Sequence, residues 1–139
     1  MHQLTTSSQY KLRIEVYYLT LQKWRSAEYS SFVIDAEANK YTLHVSGFTG
    51  DADNGLQWSV GSGKMHDGMQ FSTPDVDNDK DPNRHCANIF PSGWWFNACD
   101  YVNLNGPTIV QTTGSNYFDY YISGNKTSVQ MSRMMIQNV

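Results

Sequence analysis

Asp75-Val76-Asp77-Asn78-Asp79-Lys80-Asp81 sets four carboxylates on alternate positions of a seven-residue run. Cys86 and Cys99, the two cysteines of the chain, follow within a few turns' length. Crowded carboxylates repel one another unless a cation or solvent relieves them. Calcium takes six to eight oxygen ligands from carboxylates, carbonyls and water, which suits Asp75 to Asp81 and nearby Asn83. An EF-hand needs Gly at its sixth position and Glu at its twelfth. Counting from Asp75 those places hold Lys80 and Cys86, and counting from Asp77 they hold Pro82 and Asn88, so the loop is not an EF-hand. Magnesium fits less well, because it demands a tighter octahedron and usually brings a phosphate substrate. A solvated acidic turn explains the composition equally. The cysteine pair leaves two readings open, a disulfide formed in an oxidising compartment or two core thiols. Zinc is disfavoured, since His85 would complete only three soft ligands at no familiar spacing.

Away from this loop, strand patterns dominate the first third. Lys11 to Tyr17 alternates charged and apolar side chains, the period of a half-buried strand. Glu28 to Asp35 and Tyr41 to Val45 read as further strands, with one helical turn over Ala36–Asn39 between them. Short connections argue for an antiparallel sheet. Glycines at 47, 50, 55, 61, 63 and 68 then punctuate a turn-rich stretch in which Asp51 and Asp53 serve turns. Residues 72–116 show no sustained period yet hold two of the four Trp. A long irregular segment is uncommon in a compact domain unless it binds something. Ser128 to Ile136 returns to strand character, its Met residues serving as core filler. The expected organisation is one domain, with 1–71 and 128–139 forming mainly sheet and 72–127 forming a loop-rich subdomain.

Composition narrows the function. The 139 residues suit one domain, and 14% aromatics supply bulk for a core. A formal net charge of −3 lacks the basic face that phosphate backbones require, so nucleic acid is not an expected partner. No apolar run is long enough to span a bilayer, and polar Met1–Tyr10 does not read as a signal peptide. Asn125-Lys126-Thr127 is an N-glycosylation sequon, in keeping with secretion. His2, His44, His66 and His85 are scattered and form no recognisable triad or zinc motif, and no Gly-rich phosphate loop follows a strand. The chain is therefore read as a binder and not an enzyme.

An ordered series of motifs carries a family resemblance. Phe71-Ser72-Thr73-Pro74-Asp75-Val76-Asp77-Asn78-Asp79, then Cys86, then Gly93-Trp94-Trp95-Phe96-Asn97-Ala98-Cys99 and Asn103-Leu104-Asn105-Gly106 resemble the fibrinogen-related domain. That family includes fibrinogen C-terminal domains, ficolins, tachylectins, angiopoietins and tenascin tips. Tyr10 to Val16, Ala27-Glu28-Tyr29, Lys40 to Gly47 and Met134-Met135-Ile136 agree as well, so the resemblance covers nearly the whole chain. It implies an α+β fold with a twisted antiparallel sheet and a loop-rich calcium and ligand subdomain.

The resemblance further implies a Cys86–Cys99 disulfide, whose twelve intervening residues match the family's spacing. It implies Ca2+ held by side chains of Asp77 and Asp79 and main-chain carbonyls of Asp81 and Asn83, with Asp75 outside. It places a ligand pocket beside the calcium loop, built on His85 and Cys86 with a cis peptide bond between them. Phe90 stands at an aromatic wall, Asp100 replaces a His used by several members, and Tyr117 or Tyr120 would complete the wall. Trp94 and Trp95 would pack behind the pocket. The implied function is a secreted, calcium-supported, lectin-like module for glycans or microbial surface ligands, of the innate-immunity type. The alternative is a receptor- or peptide-binding module resembling angiopoietin and fibrinogen domains, which Asp100 favours slightly. A full domain of the family carries a further N-terminal subdomain with its own disulfide. The face where it would pack is expected to be an exposed apolar patch that favours self-association.

Overall fold

A computed structural model describes residues 3, 5, 9–58, 63–107, 118–122 and 125–139, with backbone alone for 121–122 and 125–128. Among them, six strands form one antiparallel sheet: β1 (Tyr10–Tyr18), β2 (Lys23–Ile34), β3 (Leu43–Gly50), β4 (Val102–Asn103), β5 (Asp119–Ile122) and β6 (Asn125–Asn138). Their order across the sheet is β3-β2-β1-β6-β5-β4. Among the described residues helical structure comes in short pieces, including the turn Glu37–Asn39 and the α-turn Cys86–Ile89. No helix among the described residues is long and apolar enough to cross a membrane.

The alternation in β1 explains its place at the centre. Leu12, Ile14, Val16 and Tyr18 are all buried on one face, while the intervening Arg13, Glu15 and Tyr17 point to the other. Each fully buried aliphatic side chain contributes roughly 1.5–3 kcal/mol. Antiparallel pairing carries the pattern outward, with Ile14 opposite Ala27 on β2 and Met134 on β6. On the outer face Arg13 bonds Glu15 and Glu28. Arg133 lies 4.7 Å over the Trp24 ring. These exposed pairs add little stability, but they keep the outer face polar.

The expected strands are present with longer bounds. β2 begins five residues before Glu28, because it must pair with the start of β1 through Tyr18↔Lys23. β6 begins at Asn125, ahead of the expected sheet boundary at 128, because its first four residues pair with β5 and not β1. The sequon thus opens a strand. The segment expected to be loop-rich also supplies β4 and β5, whose two and four residues are too short to print a period in the sequence.

Residues 51–58 and 63–107 cover the buried sheet face. Trp94, Phe96, Tyr101 and Val102 are buried together with Tyr18, Tyr29 and Phe32 of the sheet. Two tyrosines fasten this layer from below. Tyr29 Oη accepts the Leu56 N–H at 3.1 Å. Tyr120 Oη donates to the Asp53 carbonyl at 2.6 Å and accepts the Gly55 N–H at 3.3 Å. Gly55 has no room for a side chain, since a Cβ would lie 2.4 Å from Val102 Cγ2. Removing a buried hydroxyl strands its partners at a cost of about 1–3 kcal/mol. Tyr120→Phe should therefore unfold at lower urea with an unchanged denaturant slope, by a free-energy difference in that range.

Candidate functional site

The acidic run folds as a relay of aspartate turns. Asp77 Oδ1 accepts the Asp79 N–H (3.1 Å), Asp79 Oδ1 the Asp81 N–H (2.8 Å), and Asp81 Oδ1 the Asn83 N–H (3.1 Å). Each side chain caps the backbone two residues on, which is how Asp organises a chain without helix or strand. Thr73 Oγ1 donates to Asp75 at 2.6 Å and holds that exposed carboxyl below its usual range. Arg84 does the same for Asp81 through its Nε at 2.7 Å. Asp79 behaves oppositely. Burial and then the adjacent Asp77 carboxylate raise its pKa, although the N–H groups of Cys86 and Asp81 partly oppose them.

The second oxygen of Asp79 accepts the Cys86 N–H at 2.8 Å. The acidic turns are therefore tied directly to the disulfide, which links Cys86 to Cys99 with 5.5 Å between the Cα atoms. Lys80 N–H adds a second tether to the Asn97 carbonyl at 3.1 Å. Asp81 lies within 4.8 Å of both sulfur positions, yet those sulfurs are spent on each other and offer no thiolate to a metal.

The remaining expected site residues are distributed around this unit. His85 is part-buried, its Nε2 3.1 Å from the Thr73 carbonyl oxygen and its Nδ1 2.8 Å from Asn88 Nδ2. Phe90 closes the helical turn on the Cys86 carbonyl and stacks on Phe96 with centroids 6.4 Å apart. Asp100 is only 6% exposed, so its carboxyl belongs to the layer beneath the surface. Tyr120 is wholly buried and its hydroxyl serves Asp53 and Gly55. Tyr117 lies outside the described residues. Trp94 and Trp95 pack edge to face with centroids 5.3 Å apart, both buried.

One expectation is corrected. The bond His85–Cys86 is trans, and the cis bond is Ala98–Cys99, at the second cysteine. Cys86 opens the α-turn with its N–H committed to Asp79 and its carbonyl to Phe90, a helical geometry that uses an ordinary trans link. The opposite side of the disulfide has the irregular backbone, where Asn97 N–H reaches the Cys99 carbonyl at 2.7 Å.

The residue that sequence reasoning passed over is His66. It is fully buried and central to the layer. Its Nδ1 lies 2.8 Å from the Trp95 carbonyl, so that nitrogen carries the proton. Its Nε2 accepts two N–H groups, Tyr101 at 3.2 Å and Val102 at 3.1 Å. Its own N–H reaches the Leu56 carbonyl at 2.9 Å. An isolated His between Met65 and Asp67 carries no spacing signal. Burial pushes its pKa down to about 4, partly opposed by the Trp95 carbonyl.

With sheet, disulfide and aspartate relay assembled, comparison with known proteins is decisive. Residues 1–139 match the family described as fibrinogen beta and gamma chains, C-terminal globular domain. The chain belongs to this fibrinogen C-terminal family. It is 36% identical over 147 residues to Angiopoietin-4 of Bos taurus, covering 99% of this chain and 27% of that protein. It is 33% identical over 152 residues to Fibroleukin of Homo sapiens, covering 99% of this chain and 33% of that one. Among solved structures, the fibrinogen-like globe domain of human ANGPTL6 superposes with a TM-score of 0.82 at 26% identity, covering 99% of this chain and 60% of that chain. A lamprey fibrin D-dimer complexed with the peptide Gly-His-Arg-Pro-amide gives a TM-score of 0.81 at 30% identity, covering 97% of this chain and 47% of that chain. The fibrinogen-like fold is thus shared nearly end to end with these relatives, although the chain spans only about a third or less of the two curated proteins.

The neutral state of His66 generates a pH test for this fibrinogen-like chain. Burial away from water disfavours the charged ring, so the folded pKa lies near 4 while the unfolded value stays near 6.5. The unfolded chain then binds more protons between these values, and stability falls as pH drops from about 6.5 to about 4. The difference amounts to about 3 kcal/mol. His66→Asn should be destabilised at pH 7 and should lose most of this acid slope, as read by urea unfolding at several pH values.

Proposed function

We propose that this chain is an extracellular recognition module for a protein or peptide partner, with the aspartate relay and the Cys86–Cys99 unit as its binding face. The observation that carries this reading is the Asp79 carboxylate, which joins the acidic turns to Cys86 and so makes loop and disulfide one rigid surface. That surface is rich in carboxylates, which attract a cationic segment and repel an acidic one. The lamprey relative is complexed with Gly-His-Arg-Pro-amide, a peptide with a cationic side chain. The kinship to angiopoietins and Fibroleukin favours a protein partner over a catalytic role. The disulfide supports an oxidising, secreted location. A lectin-like role has less support, because the buried Asp100 carboxyl is not presented to sugar hydroxyls.

Calcium belongs to this proposal. The donor set fits the ion: burial first and the neighbouring Asp77 after it raise the Asp79 pKa, and a cation between the two carboxyls would offset both. Arg84 occupies the Asp81 side chain, which leaves that residue its main-chain carbonyl, the role expected for it. Asp77 and Asp79 would hold Ca2+ with carbonyls of Asp81 and Asn83, and the bound ion would supply positive charge and rigidity. A carboxyl whose pKa is raised in the fold costs stability as pH rises through that value, and a bound cation offsets the cost.

Two measurements test the reading. Calcium titration should raise the melting temperature, by the equivalent of about 2.7 kcal/mol at a hundredfold excess over Kd. Asp77→Asn should abolish that rise while leaving the Cys86 tether intact, and a retained rise would reject the site. Surface plasmon resonance with Gly-His-Arg-Pro-amide and its Arg→Glu counterpart, beside a glycan array, should show calcium-dependent retention of the cationic peptide. Retention of glycans alone, lost in EDTA, would favour the lectin-like reading instead.

A further inference from the structure

The chain contains two Asn-Gly bonds, Asn54–Gly55 and Asn105–Gly106. Asn before Gly is chemically labile, because a following residue without a Cβ lets its nitrogen swing onto the asparagine side chain. The fold treats the two bonds differently. Gly55 is buried, and its N–H is held by the Asp53 carbonyl at 2.8 Å and by Tyr120 Oη at 3.3 Å. Val102 and Tyr120 press on it so closely that the peptide has no room to turn. Asn105 is exposed in the turn that follows β4, and Gly106 comes after it in a bend. Among the described residues no acceptor takes the Gly106 N–H.

The Asn105 amide has a structural task. Its Nδ2 donates to the Gly93 carbonyl at 2.8 Å. Gly93 is pressed against the phenylalanine ring of Phe71, where a Cβ would lie 2.9 Å from Cζ, and against Thr73. Trp94, next in the chain, exchanges two backbone hydrogen bonds with Ser72, at 2.9 and 3.1 Å. That pairing is where the chain enters the acidic turns, since Thr73 holds Asp75. Asn105 also lines an apolar cavity of about 380 Å³ with Tyr41, Phe71, Trp94 and Met134.

We propose that Asn105 is a site of slow covalent modification in the folded chain, converted through a succinimide to aspartate and isoaspartate. The Gly106 nitrogen gives its proton to base and attacks Asn105 Cγ. The new N–Cγ bond replaces the Cγ–Nδ2 bond, and Nδ2 takes a proton from water and leaves as ammonia. Water then opens the ring at either carbonyl, giving aspartate or isoaspartate. Water is the sole co-reactant. The atom that leaves is the one that holds Gly93, so the change removes a donor and sets a carboxylate against the Gly93 carbonyl. Two acceptors facing each other beside an apolar wall are costly. The isoaspartate product also routes the main chain through the former side chain, which shifts the turn. Either product loosens Gly93 and Trp94, and with them the point at which the acidic turns begin.

The folded chain, aged at mildly alkaline pH without ligand or calcium, tests this separately from the binding function. Peptide mapping by mass, with isoaspartyl methyltransferase labelling of the products, reads each Asn-Gly bond on its own. Asn105 should convert while the chain is folded. Asn54 should lag roughly tenfold or more, because the Gly55 N–H must first break its buried hydrogen bonds. In urea the two rates should converge. Tyr120→Phe removes one Gly55 acceptor and should speed Asn54 while leaving Asn105 unchanged. Asn105→Asp, one of the two products, should unfold at lower urea than the wild type with its near-ultraviolet circular dichroism kept. An Asn105 that stays intact in the folded chain overturns the proposal, as does an Asn54 that converts as fast without denaturant. An Asn105→Asp chain as stable as the wild type overturns the coupling to Gly93.

Discussion

A neutral imidazole knits together the irregular half of this molecule. His66 reaches three separate stretches of backbone, at Leu56, at Trp95 and at Tyr101–Val102, and it does so where water is excluded. One face of the ring donates and the other accepts, so the arrangement works for one protonation state and one tautomer. Hydrogen bonds of this kind gain little net energy each, but leaving the buried partners unmade is costly. The segment from 51 to 107 contains few repeating backbone ladders. Its order therefore depends on such single-residue fixtures, with Tyr29 and Tyr120 as the others.

The proposed recognition face sits on top of this fixture. Trp95 receives the His66 proton on its carbonyl, and its indole N–H spans to the Tyr41 carbonyl at 2.8 Å. Asn97 and Cys99, just beyond, meet Lys80 and Cys86 of the acidic arm. The chemistry thus runs from a buried neutral base, through an aromatic layer, to a surface of ionised carboxylates. Each level constrains the next: the imidazole fixes Trp95, the disulfide fixes Cys86, and Cys86 orients Asp79. A loop so fixed would lose little entropy on binding the proposed cation or partner, which is the physical advantage of preorganisation.

What the sequence revealed follows the same division. β1 was legible because its buried and exposed positions alternate without a break from Lys11 to Tyr17, and sheet pairing then made β2 and β3 follow. The disulfide and the acidic turns were legible through an ordered motif series rather than through any period. β4 and β5 were not, because two or four residues cannot display an alternation, and tertiary pairing with β6 creates them. The location of the cis bond was misjudged by one cysteine, since nothing in His85-Cys86 or Ala98-Cys99 as a dipeptide distinguishes them. His66 was invisible for a different reason. A residue whose partners are main-chain groups 29 to 36 positions away leaves no pattern of its own in the sequence.

The central claim, that a neutral His66 bonded through Nδ1–H organises the layer beneath the proposed binding face, has a direct spectroscopic test. A long-range proton–nitrogen correlation spectrum of the labelled imidazole near neutral pH reports which nitrogen is protonated. The account predicts one protonated nitrogen, Nδ1, with Nε2 shifted as a hydrogen-bonded acceptor and the pattern unchanged down to about pH 5. An Nε2–H tautomer, or an imidazolium already present at pH 6, would contradict it.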